Sequence, residues 1–518
     1  MRPSVHALPL ALALFATPLL AADPPTAGDT PNPSAPKAEA AAKLDPDVAA
    51  PAVKEDAQPR KRSIPFRGRT LAYTATPGTL TIRNEEGAPT ASIFYTAYTI
   101  DAARGSRPRP VTFLFNGGPG SSTMWLHMGS FGPMKVDASL PEMERPAPFR
   151  LAANPDTLLD QSDLVFIDAP TTGLSRTLGK AEAKDFFGVD KDIDAFSRAI
   201  QRYLTVYGRW NSPKFIIGES YGTTRAAGLA SVLAEKGVQL NGIVLVSTVL
   251  NFADFSGDQA AINFLPTYAA DAWYHGKVAD KPALTAFVDE AREFARGPYA
   301  SALQKGAAIG DPEKQAIARQ MARLTGLSSD YILRSNLRVN PDRFRRELLR
   351  DRRQIIGRID SRYIGTEADA AGEGTSYDPQ ASSISGAFVG AMNDYVFRDL
   401  GYKTVLSYRP NNYSGIGDDW DLKHKSAEGR QEISDTSVDL AAAMRQNPRL
   451  KLLSVNGLYD LATPFFGADY EIGHMALEPA VAANIRYVYY PAGHMMYVDP
   501  NSARRLKADL DRFYAGAL

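Results

Sequence analysis

The pentapeptide Gly218-Glu219-Ser220-Tyr221-Gly222 is where residue type and spacing in this 518-residue chain first point to a reaction. It follows the apolar run Phe215 to Ile217 and precedes a helical stretch opened by Thr223 and Thr224. The pattern G-x-S-x-G therefore stands at a strand, tight turn, helix junction, which lifts a strained serine to the top of a sheet. Ser220 is the candidate nucleophile; the competing reading is an ordinary glycine-lined turn. A serine hydroxyl is a weak nucleophile until a base takes its proton. Of the histidines, His6 falls in the leader, and only His494 follows an apolar strand-like run, Ile485 to Tyr490, through the short turn Pro491-Ala492-Gly493. His127, in the loop after Val111 to Phe115, is the competitor. His275, His424 and His474 are expected at the surface of helical segments.

The imidazole needs a carboxylate to hold its tautomer, and where serine stands on such a turn the acid comes between serine and histidine in the chain. Asp460, after the run Leu452 to Val455, meets that order. Asp499 follows the base, and helix initiation at Asp499-Pro500-Asn501 accounts for it. The stretch Asn116-Gly117-Gly118-Pro119-Gly120 follows Val111 to Phe115 and places backbone N–H groups where an oxyanion would form. Gly118 and Tyr221 are the expected donors, and losing one such donor costs about 100- to 1,000-fold in rate. Phosphate binding is the other use of a glycine-rich loop, but neither G-x-G-x-x-G nor a P-loop lysine is present. The resulting chemistry is acyl transfer to Ser220 and hydrolysis by water, with no metal or cofactor required.

These groups lie far apart in sequence, so a sheet must bring them together. Short, evenly apolar runs at Val111 to Phe115, Leu164 to Ile167, Phe215 to Ile217, Ile243 to Val246, Leu452 to Val455 and Ile485 to Tyr490 predict strands buried on both faces. Helical stretches at Asp192 to Tyr207 and Thr224 to Lys236 alternate with them, which makes the fold class α/β with a mostly parallel central sheet. Thr79 to Arg83 and Ala91 to Ile100 predict antiparallel strands at its N-terminal edge. Residues 251–446 change to amphipathic helices and interrupt the pattern, so they read as a helical insertion, or lid, between core segments 63–250 and 447–518. Ten arginines lie between Arg334 and Arg362. Interleaved acids, with Phe344, Leu348, Ile355 and Ile359 on one face, predict a solvated helix face there rather than a basic lid or partner site.

Composition narrows the remaining choices. Lys+Arg and Asp+Glu number 58 each, so no net charge favours nucleic acid as a partner, and 44% hydrophobic residues suffice for a large core. The absence of cysteine excludes disulfides, thiolate catalysis and thiolate metal sites. Arg2, the apolar stretch Ala7 to Leu20, and Ala21-Ala22 have the order of a secretory signal peptide, cleaved near Ala22. Leu20 stands where a small residue is usual, which leaves an uncleaved anchor as the alternative. Residues 23–62, rich in Pro and Ala, read as a flexible linker. No later run is long and apolar enough for a membrane span. Export, to the periplasm or outside the cell, is the expected localisation.

Taken together, Asn-Gly-Gly-Pro-Gly-Ser-Ser at Asn116 to Ser122, Phe131-Gly132-Pro133, Gly-Glu-Ser-Tyr-Gly at Ser220 and Ala-Gly-His-Met at Ala492 to Met495 resemble the serine carboxypeptidases. The resemblance runs from about Val111 to the C-terminus and implies an α/β-hydrolase fold with a helical insertion, and peptide substrates. It also implies that Asn116, Gly117 and Glu219 bind the substrate's free carboxylate, with Met495 in the same subsite. One position departs from the family. A second glutamate is usual where this chain has Ser130, and two close carboxyls can share a proton and keep one neutral. With serine there, selection for a free C-terminus is expected to weaken and the pH optimum to be less confined to acid. Ser121 stands where the family usually has cysteine. An esterase or aminopeptidase-like hydrolase on the same fold, or a catalytically silent binding protein, are the alternatives.

Overall fold

A computed structural model describes residues 54–101, 107–136 and 147–518. The expected signal peptide and most of the expected linker lie outside the described residues. Nine strands carry the architecture: β1 (Arg60–Phe66), β2 (Arg69–Arg83), β3 (Pro89–Thr99), β4 (Val111–Phe115), β5 (Asp163–Ile167), β6 (Lys214–Glu219), β7 (Gly242–Val246), β8 (Lys451–Gly457) and β9 (Ile485–Tyr490). They lie in the order β1-β2-β3-β5-β4-β6-β7-β8-β9, with Arg176–Thr177 pairing beside β3. The pairs from β5 to β9 are parallel, and β1, β2 and β3 run antiparallel at the other edge, joining through an antiparallel β3–β5 pair. This is the expected α/β-hydrolase fold.

Strand side chains alternate between two cores. Leu114, Phe166, Ile217, Val244 and Leu453 face one side, while Phe113, Val165, Ile216, Leu245 and Leu452 face the other. The helices that matter for the site are α1 (Val189–Val206), α2 (Tyr221–Glu235), α3 (Gly257–Tyr274), α4 (Pro379–Asn393), α5 (Ser437–Gln446) and α6 (Pro500–Ala517). Helices α1, α2 and α5 cover one face. Helix α6 covers the other, where the Tyr514 hydroxyl meets Thr112 Oγ1 at 2.7 Å and its ring packs on Phe215. Among the described residues no helix is long and apolar enough to cross a membrane.

Several expectations need correction. Sheet pairing begins before Ile64: Ala57 bridges Gly78, and β1 runs from Arg60. Its side chains are mostly polar because it is an edge strand, so composition alone read its start as linker. Strand β9 is likewise an edge strand, and only Tyr490 in it is fully buried; its Tyr and Ile content reflects strand propensity more than two-sided burial. The insertion also has two parts. Residues of α3 and the segments up to Ile356 form a separate core, with Tyr268 stacked on Phe344 at 4.0 Å between ring centroids. Helix α4 packs with the sheet's own core, and α5 is the crossover helix against α2.

The arginine-rich stretch is a solvated face only in part: Arg334, Arg338, Arg343, Arg352 and Arg353 are exposed, and Phe344, Leu348 and Ile355 are buried as expected. Arg345 and Arg346 are buried, and Arg345 donates to the carbonyls of Ile356 and Tyr377, each at 3.2 Å. Two histidines expected at the surface are buried as well. His275 Nε2 lies 2.7 Å from the Ser361 carbonyl. His424 lies between carboxylates, Nδ1 at 2.6 Å from Asp190 in the first turn of α1 and Nε2 at 2.6 Å from Asp439 in the first turn of α5. Burial disfavours its charge, but the two carboxylate bonds outweigh burial and push its pKa up to about 9. A pKa raised on folding stabilises fully below the ordinary histidine value, and that contribution is lost as pH rises through about 9. His424→Gln is therefore expected to melt below wild type at about pH 6, with the gap closing by about pH 10 in thermal unfolding scans.

Candidate active site

Ser220 sits between the end of β6 and the start of α2 with φ of 59° and ψ of −132°, a backbone conformation that side-chain-bearing residues rarely hold. It holds because the surroundings leave no alternative. The Ser220 N–H donates to the Val246 carbonyl at 2.9 Å, and a Cβ on Gly218 would stand 2.1 Å from the Gly222 carbonyl oxygen. Glycine at 218 thus lets strand and helix meet at this angle. Ser220 lines a cavity of about 580 Å³ together with Asn116, Gly117, Gly118, Glu219 and Tyr221. His494 and Met495 line it as well.

Asp460 supports this cavity from behind. It is fully buried, and its Oδ2 lies 2.7 Å from His494 Nδ1. The other oxygen accepts the N–H groups of Ala462 at 2.8 Å and Thr463 at 2.9 Å. Thr463 Oγ1 donates to Asp460 Oδ2 at 2.8 Å. The Ser247 hydroxyl donates to the His494 carbonyl at 2.7 Å, and the His494 N–H donates to the Ile359 carbonyl at 2.7 Å. Burial works against protonation of His494, but the Asp460 charge and hydrogen bond prevail, so its pKa is raised.

The rival residues belong elsewhere. His127 is wholly buried, stacked on Phe166 at 4.4 Å and 2.5 Å from the Tyr98 hydroxyl; burial pushes its pKa down to about 3. Asp499 caps α6, accepting from the Ser502 N–H at 2.8 Å.

The glycine-rich loop closes the floor. A Cβ on Gly117 would lie 2.4 Å from the Tyr221 nitrogen and 2.6 Å from the Gly222 nitrogen, so only glycine lets the loop rest on the first turn of α2. Those amides belong to the helix N-terminus, whose N–H groups lack partners within the helix. The Tyr221 side chain points away and donates to Asp192 at 3.1 Å. Arg225, with no exposure, binds both Asp192 oxygens at 2.6 and 3.1 Å and donates to the Asn116 carbonyl at 2.7 Å.

Asn116 Nδ2 in turn donates to Glu219 Oε1 at 2.8 Å. The other Glu219 oxygen is buried, and the Tyr497 hydroxyl is the polar group that acts on this carboxyl from the far side. Burial is the chief reason the Glu219 pKa is pushed up to about 7, against the pull of His494. The Ser130 hydroxyl donates to the Leu126 carbonyl at 2.6 Å.

A family model described as serine carboxypeptidase matches residues 73–283, a segment that holds the glycine-rich loop and Ser220. In this segment the chain is similar to the serine carboxypeptidases. Two curated relatives are pheromone-processing carboxypeptidases KEX1 of Saccharomyces cerevisiae. That of strain ATCC 204508 / S288c is 29% identical over 145 residues, covering 27% of this chain and 19% of the yeast protein. That of strain JAY291 is 30% identical over 135 residues, covering 25% and 17%. The chain thus spans about a fifth of the length of the curated relatives it matches. The crystal structure of KEX1(delta)p, a prohormone-processing carboxypeptidase from the same yeast, superposes with a TM-score of 0.52 at 15% identity, over 85% of this chain and 91% of that one. That likeness establishes a shared fold.

Three residues beside the site were not singled out from sequence. Thr463 and Tyr497 carry no motif of their own, and Arg358 is hidden in the arginine-rich run. Because Arg225 ties the glycine-rich loop to two helices from inside, Arg225→Ala is expected to destabilise the fold by about 3–5 kcal/mol. Arg225→Met combined with Asp192→Leu should recover part of that, as read from denaturant unfolding.

Proposed function

We propose that the protein is a serine-type carboxypeptidase that releases C-terminal amino acids from peptides through an acyl-enzyme on Ser220. The observation that carries the proposal is the 2.7 Å His494–Asp460 contact at a cavity that Ser220 also lines. In this reading Ser220 Oγ attacks the scissile carbonyl carbon while His494 takes its proton through Nε2, the nitrogen not held by Asp460. Asp460 fixes the tautomer and stabilises the imidazolium. The N–H groups of Gly118 and Tyr221 meet the oxyanion of the tetrahedral intermediate. His494 then protonates the leaving amine as the C–N bond breaks, and a water deprotonated by His494 releases the acyl group. Export through the N-terminal segment, to the periplasm or outside the cell, belongs to the same proposal.

Recognition of the free terminus falls to Asn116, Gly117, Glu219 and Met495. Neutral Glu219 can donate a hydrogen bond to the substrate carboxylate, while ionised Glu219 repels it. Burial supplies here what a second carboxyl would otherwise supply, so the loss of a glutamate at Ser130 need not abolish the acid form. Since Glu219 stays protonated up to about pH 7, terminus binding is expected to persist to near neutrality.

The test is mass spectrometry of a peptide mixture. Wild type should shorten peptides from the C-terminus, and Ser220→Ala should lower kcat by at least about 10⁴-fold with folding intact. Cleavage of simple esters without peptide shortening would favour the esterase reading instead. For free-acid peptides, KM should rise as pH increases through about 7, because Glu219 gains a charge that opposes the substrate's. Glu219→Gln should flatten that alkaline limb, measured as KM across about pH 5 to 9.

A further inference from the structure

Arg358 is the exception among the charged side chains that wall the cavity. Arg338 donates to Asp258 at 2.6 Å, and Arg345 is held by Asp342 at 3.3 Å and by two carbonyls. The partly buried Arg358 guanidinium makes no hydrogen bond or ion pair with any described residue, yet it faces the cavity that holds Ser220 and His494.

The carboxylates that act on it from a distance, Asp460, Asp378 and Asp342, are already engaged. Asp460 holds His494. Asp342 pairs with Arg345. Asp378 accepts the Ala381 N–H at 2.9 Å and the Arg358 backbone N–H at 2.5 Å. Burial and the neighbouring charge of Arg345 both weigh against the protonated guanidinium.

Its backbone, by contrast, is fixed. The Leu461 N–H donates to the Arg358 carbonyl at 3.0 Å, and the next carbonyl, of Ile359, accepts the His494 N–H. A partly desolvated cation with no partner is costly to maintain, and a guanidinium fork fits a carboxylate better than any other common group of a peptide. The position is rigidly tied to the histidine loop, so a group bound there would sit beside the reacting carbonyl.

We infer that Arg358 binds an acidic side chain, that of an Asp or Glu residue adjoining the scissile bond. The inference rests on the peptidase reading of the cavity and deepens it. It assigns the wall formed by the insertion a preference for substrate chemistry, whereas the α-carboxylate has its own partners in Asn116 and Glu219.

The experiment compares peptides carrying Glu or Gln at each of the two positions flanking the scissile bond, with wild type, Arg358→Gln and Arg358→Lys. Wild type should favour Glu at one of those positions. Arg358→Gln should lower the Glu-to-Gln ratio of kcat/KM by about 10- to 100-fold, chiefly through KM, and Arg358→Lys should restore part of it. The inference is overturned if the ratio does not move, or if both peptides lose equally, which would place Arg358 in the electrostatics of the His494–Asp460 pair. It is also overturned if the loss follows free against amidated C-termini rather than the side chain. A second arm uses the intact protein without turnover: N-acetyl-glutamate should raise the melting temperature of wild type more than N-acetyl-glutamine, and Arg358→Gln should erase the difference. If wild type cleaves no peptide, the carboxypeptidase proposal fails on that result, while the melting arm still decides the role of Arg358.

Discussion

The Arg225 guanidinium lies where helix α1, helix α2 and the glycine-rich loop meet, and it is closed off from solvent. Both Asp192 oxygens and the Asn116 carbonyl receive its protons, while the Phe196 ring lies 4.0 Å from its central carbon. A buried charge is tolerated only when nearly every donor is used, so this one dictates where the loop must stand. Asn116 is fixed by its carbonyl from below and by the Leu126 N–H at 3.0 Å through its side chain. Its amide nitrogen is thereby aimed at Glu219, and Gly117 is laid on the first amides of α2. The geometry around Ser220 is set as much from underneath as by the strained turn itself.

The insertion completes the same site from above. Its second part returns to the glycine-rich loop, where the Asn412 N–H donates to the Gly120 carbonyl at 2.8 Å and the Ser122 N–H donates to the Pro410 carbonyl at 3.0 Å. Its first part contributes Arg338 and Arg345 to the cavity wall, and the segment just after it contributes Arg358 and, through the Ile359 carbonyl, a direct bond to the His494 backbone. The histidine loop is therefore anchored to the segment that shapes the substrate space. A shift of the insertion would move imidazole and wall together, which under the proposed peptidase function would couple selection of substrate to placement of the base.

What the sequence made legible follows from how local each signal is. Ser220, the glycine-rich loop and the turn before His494 are short patterns whose meaning depends on the strands beside them, and β4, β6, β8 and β9 end where those patterns begin. The order Ser220, Asp460, His494 selects among carboxylates without knowledge of distance. Side chains whose role depends on packing between distant segments were misread. His424 looks like a surface histidine until α1 and α5 bring Asp190 and Asp439 to it from opposite sides. Arg345 and Arg346 follow an amphipathic period that predicts solvent on their face, but the Tyr377 carbonyl and the strand at Gln354–Ile356 cover it. Hydropathy records polarity, not whether a polar group meets water or a carbonyl, and that difference decides the arginine-rich stretch.

Glu219 shows the same limit at the level of a single proton. Sequence comparison with a family pattern notes a missing carboxyl at Ser130 and infers that the neutral acid goes with it. The acid form needs only that ionisation be more costly than in water, and two routes lead there: a like charge nearby, or removal of solvent. In this protein the second route operates. Glu219 is enclosed by Asn116, Tyr497 and the sheet, and burial outweighs the attraction of His494 that would ionise it. Ser130, freed from sharing a proton, bonds to its own helix at Leu126, and Tyr497 packs where a Cβ on Gly129 would lie 2.8 Å from its ring. The cost of a buried carboxyl is thus carried by the shape of the pocket rather than by a second acid. Any change that opens this pocket to water would lower the Glu219 pKa and remove the neutral donor, with every named residue still in place.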